Sequence, residues 1–416
     1  MTNEVVQKGQ LAKKASYVMN TKSTEKKNDA LLLIAAQLEQ DSAYLIEENK
    51  KDLSDGEAKG LDASVLDRIL LNEARVQAMA DAIRLLVKLP DPVGEVVEEM
   101  TKDNGMHITK KRVPLGVIGM IYEARPNVTI DAATLALKTG NAVILRGSSS
   151  AKHSNMALVT SIHKALAQSD LPVDAVQLIE DTRRETAAHL FNLTEYLDVL
   201  IPRGGKGLID LVVRESTVPV LETGAGNCHV YVEDSAELTM AKNITQNAKT
   251  QRPSVCNAME SLVVQRGFMA KHGAALLQNL ADAGVTIIGD SEACAVFPDA
   301  IAATAEDFAT EYLDLTVSVQ TVADVYEAVD IINRNSTHHS EAIVTEDKQA
   351  AAVFLNNVDS AAVYHNVTTR FTDGFEFGYG AEIGISTQKL HARGPMGLPA
   401  LTTTKYVITG NGQIRS

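Results

Sequence analysis

The apolar positions of the chain follow two patterns, one typical of helices and one typical of buried strands. From Asp29 to Leu89 apolar side chains recur every three or four residues, which predicts a helical N-terminal layer. Asn72 is expected to cap one of these helices, because its side chain can accept a hydrogen bond from the first turn. Beyond this layer, the Asn104-Gly105 pair lies between strand-like residues 96–100 and 106–113, which predicts a β-hairpin.

From Gly116 onward, short continuous apolar runs alternate with helical segments. Apolar runs without a polar face indicate parallel strands covered by helices on both sides. The series predicts one doubly wound lobe that closes near residue 232 and a second lobe after it. At the C-terminus, residues 405–409, a Gly-Asn-Gly turn and residues 413–416 are expected to form another small hairpin, free to pair with the first hairpin or with a second subunit.

Composition narrows the class of protein. A chain of 416 residues has room for two or three domains. Its formal charge of −14 argues against binding to nucleic acid or to an acidic membrane, since both need clustered Lys and Arg. Neither a signal-peptide stretch nor an apolar run of about 18 residues occurs, so a cytoplasmic location is expected.

Three widely separated cysteines occur, and their spacing is not that of a zinc site, so we expect free thiols and no metal. Cys228 leads into an apolar strand and Cys294 lies in an Ala-rich stretch, which favours packing roles for both. Residue type alone favours packing for Cys256 as well. However, Cys256 lies in QRPSVCNAMESLVV with Lys249 and Arg252 close in sequence, and cationic neighbours favour the reactive thiolate. Cys256 is therefore the candidate nucleophile.

Turns after predicted strands carry candidate binding groups. Asn127 follows the buried run 116–122, where a parallel sheet binds ligands, and its amide could stabilise an oxyanion. Capping of the next helix, expected over residues 129–139, is the simpler role for Asn127. No GxGxxG follows a strand, which argues against an ordinary Rossmann fingerprint. The turns that begin at Arg146 and Arg203 could hold phosphates, and Arg146 beside three serines suits a 2′-phosphate, which favours NADP over NAD.

Several segments together resemble the γ-glutamyl phosphate reductases, also called glutamate-5-semialdehyde dehydrogenases. They are VPLGVIGMIYEARPNVTIDAA, GNAVILRGSSSAKHSN, IPRGGKGLI, NAKTQRPSVCNAMESLVV, EYLDLTVSV and VYHNVTTRFTDGFEFGYGAEIGISTQKLHARGPMGL. The resemblance covers nearly the whole chain and is most specific in the cysteine and HARGPMGL segments. It implies an aldehyde-dehydrogenase-like α/β fold with two doubly wound parallel-sheet lobes and a small β oligomerisation flap.

The same resemblance implies domains and residue roles. The domains are a cofactor-binding domain at residues 1–95 and 114–232, a catalytic domain at 233–395 and a flap at 96–113 and 396–416. The implied roles are Cys256 as nucleophile, Asn127 as oxyanion donor, and Arg146, Ser148, Gly204, Gly205 and Glu311 as cofactor-binding residues. Glu222 lies near the position where hydrolytic relatives hold a water-activating glutamate, but it lacks their usual flanking residues and is left out of the catalytic set.

The implied reaction is the NADPH-dependent reduction of L-glutamyl 5-phosphate to L-glutamate 5-semialdehyde and phosphate, the second step of proline biosynthesis from glutamate. Cys256 would form a thioester that a hydride then reduces. Arg125, Arg252 and Arg370 are candidates for the anionic groups of the substrate. The resemblance also suggests a homo-oligomer, either a dimer or a tetramer. Because acyl phosphates hydrolyse readily, it further suggests handover from glutamate 5-kinase.

Three other functions stay open on the sequence. A hydrolytic aldehyde dehydrogenase would oxidise a small aldehyde with NAD(P) and would need no phosphate. A cofactor-free hydrolase would pair Cys256 with His229, His365 or His391 and would consume no NADPH. A non-catalytic binding or assembly protein would have no use for the intact cysteine segment.

Overall fold

The computed structural model describes residues 4–415, whose contacts divide into two compact units. Unit 1 holds the described residues up to Glu222, Gly378–Gly384 and the stretch from Met396 onward. Unit 2 holds Thr223–Phe377 and Ile385–Pro395. Within residues 4–415, no helix is both long enough and apolar enough to cross a lipid bilayer.

The helical layer of unit 1 is confirmed, but it begins earlier than the apolar pattern predicts. Its helices are α1 Glu4–Met19, α2 Thr24–Gln40, α3 Ser42–Ala58, α4 Ala63–Ile69 and α5 Glu73–Lys88. The periodicity does not predict α1, because the buried face of this helix consists largely of Gly, Ala and Ser. Asn72 caps α5 as expected, and its side chain accepts a hydrogen bond from the N–H of Arg75 at 2.9 Å.

The first hairpin is also present, with strands β1 Val96–Thr101 and β2 His107–Pro114. Gly105 adopts a φ of 84° in its turn, a conformation that favours glycine. The parallel sheet of unit 1 follows, with strands β3 Val117–Tyr122, β4 Ala142–Arg146, β5 Val176–Leu178 and β6 Val199–Arg203 in the order β5-β4-β3-β6. Its accompanying helices are α6 Pro126–Lys138, α7 Lys152–Leu166, α8 Arg184–Phe191 and α9 Lys206–Glu215. Every residue of β3 is buried, as a strand covered on both faces requires.

Unit 2 contains a second parallel sheet. Its strands, in chain order, are β7 Cys228–Val232, β8 Met259–Gln265, β9 Thr286–Gly289, β10 Ile301–Ala302, β11 Thr316–Val322, β12 Ser340–Val344 and β13 Ala362–His365. Its helices are α10 Leu238–Thr250, α11 Arg266–Asp282, α12 Ser291–Val296, α13 Val325–Asn335 and α14 Lys348–Asn357. The strand order is β10-β9-β11-β8-β7-β12-β13, so β7 lies inside this sheet. A short antiparallel pair, β14 Ile385–Ser386 and β15 Gly394–Pro395, completes unit 2.

Two predicted boundaries differ from the structure. The sequence pattern predicts that the first lobe ends near residue 232. In the structure β7 pairs with β8 and β12 in the second sheet, and the chain divides between Glu222 and Thr223. At the C-terminus a single strand, β16 Thr402–Thr409, pairs antiparallel with β2 to give a sheet of order β1-β2-β16. Residues 410–415 form no strand, and Ser416 lies outside the described residues. The predicted second hairpin is therefore wrong, whereas the expected pairing of its first strand with the first hairpin is confirmed.

Candidate active site

Cys256 lies in unit 2, in the short segment between α10 and β8. A turn closed by the N–H of Ala258 and the carbonyl of Val255 at 3.0 Å leads from this segment into β8. The thiol is half-buried and does not form a disulfide. Because Cys256 precedes β8, it lies at the amino end of a parallel strand, the opposite edge from the one where open α/β sheets usually bind ligands.

The backbone of Cys256 is fixed by the chain that leads into β7. The Sγ of Cys228 donates to the carbonyl of Cys256 at 3.1 Å, and burial raises the pKa of the Cys228 thiol, which keeps it a neutral donor. Gly226 approaches so closely that an added Cβ would lie 2.7 Å from the Cα of Cys256 and closer still to its carbonyl group. Only glycine therefore fits at position 226.

Two of the predicted substrate-binding arginines lie in the same unit as Cys256. Arg370 is half-buried, and its Nε donates to Oε1 of Gln251 at 2.7 Å. Burial lowers the pKa of Arg370, the negative charge of Cys256 opposes this shift, and the nearby charge of Arg252 adds to it. The positive charge of Arg370 therefore favours a negative charge on Cys256. The third candidate, Arg125, belongs to unit 1, where it is the N-cap residue of α6.

Lys249, whose charge the sequence also associates with the thiol, has a different partner. Its Nζ lies 2.7 Å from Oε2 of Glu260, and both side chains are 0% exposed. Burial lowers the pKa of Lys249, and burial raises the pKa of Glu260 to about 7 against the opposing effect of the lysine. Glu260 therefore matches the charge of Lys249, and Arg370 is the cation whose charge is coupled to that of Cys256.

Glu311 also belongs to this region of unit 2. Its Oε1 accepts a hydrogen bond from the N–H of Gly226 at 2.6 Å. The residue expected to hold the nicotinamide ribose is thus tied to the segment that backs Cys256. The family resemblance implies roles for both Glu311 and Cys256, but it does not point to the glycine that connects them.

Asn127 lies in unit 1 at the carboxyl end of β3, as the second residue of α6. The helix begins at Pro126 rather than near residue 129, and Arg125 is its N-cap, so the capping role expected for Asn127 is wrong. The exposed amide donates through Nδ2 to Oδ2 of Asp131 at 3.2 Å. Burial raises the pKa of Asp131 to about 6, although Asn127 and the charge of Arg203 oppose the shift.

Arg146 and Ser148 lie where β4 ends and α7 approaches. Nη2 of Arg146 donates to the carbonyls of Thr182 at 2.6 Å and Arg183 at 3.2 Å. Its buried Nε has no hydrogen-bond partner within the described part of the chain, so one donor is left for a bound group. The hydroxyls of Ser148 and Ser150 lie 2.6 Å apart. A groove beside them is lined by Gly147, Ser148, Lys152, Glu180 and Thr182, among others.

Gly204 and Gly205 form the turn between β6 and α9, as predicted, and this turn already holds a carboxylate. Oε2 of Glu123 accepts a hydrogen bond from the N–H of Gly205 at 3.0 Å, at the N-terminus of α9. A Cβ at Gly204 would lie 2.7 Å from Cδ of Glu123. A helix N-terminus attracts anions, so a phosphate that binds here must displace Glu123. The sequence pattern does not predict this contact.

The histidines of the hydrolase alternative have other partners. His229 is buried on β7 and pairs through Nδ1 with Oε2 of Glu341 at 3.1 Å. Nε2 of His365 lies 3.0 Å from the carbonyl oxygen of Thr345. His391 is exposed in a loop where its φ is 67°. Between residues 4 and 415, no group of three or more His, Cys, Asp or Glu side chains could hold a metal ion.

Comparison with known proteins shows the family to which the chain is similar. Residues 2–298 match the aldehyde dehydrogenase family. The chain is 60% identical over 413 residues to γ-glutamyl phosphate reductase of Bacillus subtilis, a match that covers 99% of this chain and 100% of that protein. It is 59% identical, with the same coverage, to γ-glutamyl phosphate reductase of Oceanobacillus iheyensis.

Solved structures show the same relationship. The crystal structure of γ-glutamyl phosphate reductase from Thermotoga maritima is similar with a TM-score of 0.98 and 44% identity, covering 99% of this chain and 100% of that chain. A probable aldehyde dehydrogenase from Listeria monocytogenes is 15% identical, with a TM-score of 0.71 and coverage of 99% and 97%, and shows the fold alone. The predicted aldehyde-dehydrogenase-like α/β fold is confirmed.

Proposed function

Since this chain belongs to the aldehyde dehydrogenase family and, within it, to the γ-glutamyl phosphate reductases, we propose that it works through a thioester on Cys256. The reaction is the reduction of L-glutamyl 5-phosphate to L-glutamate 5-semialdehyde and phosphate, a step of proline biosynthesis. The observation that supports the role of Cys256 is its setting, a half-buried thiol beside the positive charge of Arg370 and on a backbone fixed by Gly226.

The proposed sequence begins when the Cys256 thiolate attacks the C5 carbonyl of the acyl phosphate. The bond from C5 to the phosphate oxygen then breaks, inorganic phosphate leaves with the bonding electrons, and a glutamyl thioester remains on Cys256. In this scheme Asn127 and the N–H of Cys256 donate to the oxyanion, and Arg370 and Arg252 attract the anionic groups of the substrate. After reduction, the carbon–sulfur bond breaks to release the aldehyde and regenerate the thiolate.

The hydride donor proposed for this reaction is NADPH, which supplies the two electrons that reduce the thioester when it is bound. The residues of unit 1 fit such a group, because Nε of Arg146 is buried without a partner among residues 4–415. The N–H of Gly205, at the N-terminus of α9, becomes available once Glu123 is displaced. Arg146 and Ser148 would bind the adenosine ribose and its 2′-phosphate, and Gly204 and Gly205 the pyrophosphate. Glu311 would bind the nicotinamide ribose.

The test follows NADP reduction in the reverse direction, with glutamate 5-semialdehyde and inorganic phosphate. Cys256→Ala should lower the rate by at least about 10³-fold, because the covalent step is lost. Cys294→Ala is the matched control, since this half-buried thiol lies on α12 and should retain wild-type activity. Substantial activity in Cys256→Ala refutes the nucleophile. A rate that does not depend on phosphate favours hydrolytic chemistry, and equal rates with NAD refute the NADP preference.

We also infer that the β1-β2-β16 flap joins copies of the chain into a homo-oligomer. β1 is exposed along its whole length, and Val96, Val97 and Met100 are 46%, 48% and 37% exposed. Exposed apolar edge strands pair readily with other strands. Val97→Lys should therefore lower the mass measured by light scattering, and an unchanged mass contradicts the inference. Handover from glutamate 5-kinase and a cytoplasmic location stay predictions, the first tested by co-purification with the kinase.

A further inference from the structure

The Lys249–Glu260 ion pair joins the two ends of the segment that carries Cys256. Lys249 is in the last turn of α10 and Glu260 is the second residue of β8, so the pair connects the two ends of that segment. Nζ of Lys249 and Oε2 of Glu260 are 2.7 Å apart, and neither side chain is exposed. The ion pair therefore holds the end of α10 close to the start of β8, which fixes both ends of the Cys256 segment.

The same carboxylate holds the segment that carries Glu311. Oε2 of Glu260 accepts a hydrogen bond from the N–H of Tyr312, and Oε1 accepts one from the N–H of Leu313, each at 3.3 Å. Leu313 adopts a φ of 56°, a left-handed conformation that is unfavourable for a residue with a branched side chain. The contact with Glu260 thus stabilises a backbone conformation that Leu313 would not adopt by itself.

A third contact closes the path between the two segments. Glu311, directly before Tyr312, accepts a hydrogen bond from the N–H of Gly226 at 2.6 Å. Gly226 lies against the backbone of Cys256 so closely that no side chain fits there. Cys256 and Glu311 are therefore held relative to each other twice, through Gly226 on one side and through Glu260 on the other.

The chemistry of the pair explains why polar groups are needed at this buried place. Replacement of Glu260 by an apolar residue would leave the N–H groups of Tyr312 and Leu313 without their acceptor, which is costly in a protein interior. A lone carboxylate at 0% exposure would also be unfavourable, and Lys249 supplies the compensating charge. The pair thus neutralises its own two charges, and Glu260 also accepts hydrogen bonds from two backbone N–H groups.

We propose that Lys249 and Glu260 are positioning residues that fix the nucleophile Cys256 and the cofactor-binding residue Glu311 in one common arrangement. This inference rests on the proposed function, which gives Cys256 and Glu311 their roles. Neither Lys249 nor Glu260 contacts the reacting atoms in this scheme. Disruption of the pair should therefore change two properties together, the reactivity of the thiol and the affinity for NADPH.

The experiment uses Glu260→Gln, which keeps the size of the side chain and removes its charge. Alkylation of Cys256 by iodoacetamide is followed by mass spectrometry without cofactor, and the dissociation constant of NADPH is measured by fluorescence titration. We expect the alkylation rate to change at least threefold and the dissociation constant to rise at least threefold. The matched control is Asp91→Asn, which breaks the buried Lys27–Asp91 pair of unit 1 and should lower the melting temperature while changing neither property more than twofold.

A second variant keeps the test valid if Glu260→Gln does not fold. In Lys249→Met/Glu260→Gln, both charges are removed, so no lone charge stays buried, and the amide oxygen can still accept from one of the two backbone N–H groups. The same two changes are expected in this variant, because the other N–H group loses its acceptor. Wild-type values of both properties, or a change in only one of them, overturn the proposal. Neither measurement depends on turnover, so activity retained by Cys256→Ala would refute the proposed function separately.

Discussion

Substitution of Gly226 by Ala perturbs the nucleophile through its backbone. The φ of Gly226 is not in the left-handed region, so alanine can adopt this conformation and the effect is purely steric. The new Cβ would lie 2.7 Å from the Cα of Cys256, whereas two carbon atoms in contact lie about 3.5 Å apart. The Cα of Cys256 must therefore move by about 0.8 Å, and its carbonyl, which lies closer, must move further.

The size of the effect follows from this displacement. A misplacement of about 1 Å at a reacting group can lower a rate by about 10²-fold. This corresponds to about 2.7 kcal/mol of transition-state stabilisation. Because the carbonyl oxygen of Cys256 would lie closest to the new Cβ and must move further than the Cα, we expect Gly226→Ala to lower kcat/KM for NADP reduction by at least about 10²-fold. The affinity for NADPH should also fall, because the N–H of Gly226 is the partner of Glu311.

The assay compares Gly226→Ala with Gly273→Ala, a matched control in the same unit. A Cβ at Gly273 would meet the side chains of Met269 and Val296 within α11 and α12, and flexible side chains can move away. Gly273→Ala should therefore keep kcat/KM within about threefold of wild type, in line with the modest cost of accommodating one methyl group. Thermal unfolding of both variants separates misfolding from a local shift. A folded Gly226→Ala protein with wild-type kcat/KM would refute the close-contact argument.

Two further predictions concern charge. Burial raises the pKa of Asp131 to about 6, so the folded protein keeps a proton that the unfolded chain loses near pH 4. The stability of the wild-type protein should therefore fall as the pH rises from about 4 to 6. The introduced asparagine does not titrate, so the melting temperature of Asp131→Asn minus that of the wild type should increase between about pH 4 and pH 6. A difference that stays constant over this range would contradict the raised pKa of Asp131. Arg370→Met removes positive charge beside the thiol, so the alkylation profile of Cys256 should move to higher pH by about one unit. Arg266→Met, which breaks an exposed pair with Glu292, should leave this profile unchanged.

Apolar patterning predicts those parts of the fold in which buried side chains are apolar. It predicts β3 and the buried face of α5, whose side chains are apolar except for the hydroxyl of Tyr122, which forms a hydrogen bond with that of Thr129. It gives no clear signal for β11, because polar Ser318 is buried there through a hydrogen bond between its hydroxyl and that of Ser261 at 2.8 Å. It assigns β7 to the wrong lobe, because a buried strand has the same pattern in either sheet and only its pairing with β8 and β12 decides the matter.

At the candidate site, the sequence likewise indicates some residue types but not the contacts that those residues make. The sequence neighbours of Cys256 point to it only weakly, and its role as the nucleophile depends mainly on the family resemblance. The sequence gives no indication that Glu123 occupies the N–H of Gly205, because the two residues are far apart along the chain and meet only where β3 and β6 are paired. Contacts between backbone groups and distant side chains leave no periodic signal, so they become visible only in the folded structure.

Glu260 illustrates which sequence signals can lead to such contacts. In the run MESLVV it interrupts a series of apolar residues, and a simple pattern would place it on a solvent-facing side of β8. In the structure every residue from Met259 to Val264 is buried, so Glu260 must have partners in the interior. Those partners are one cation and two backbone N–H groups. A charged residue within a strand buried on both faces therefore marks a place where separate segments are held together, and here those segments carry Cys256 and Glu311.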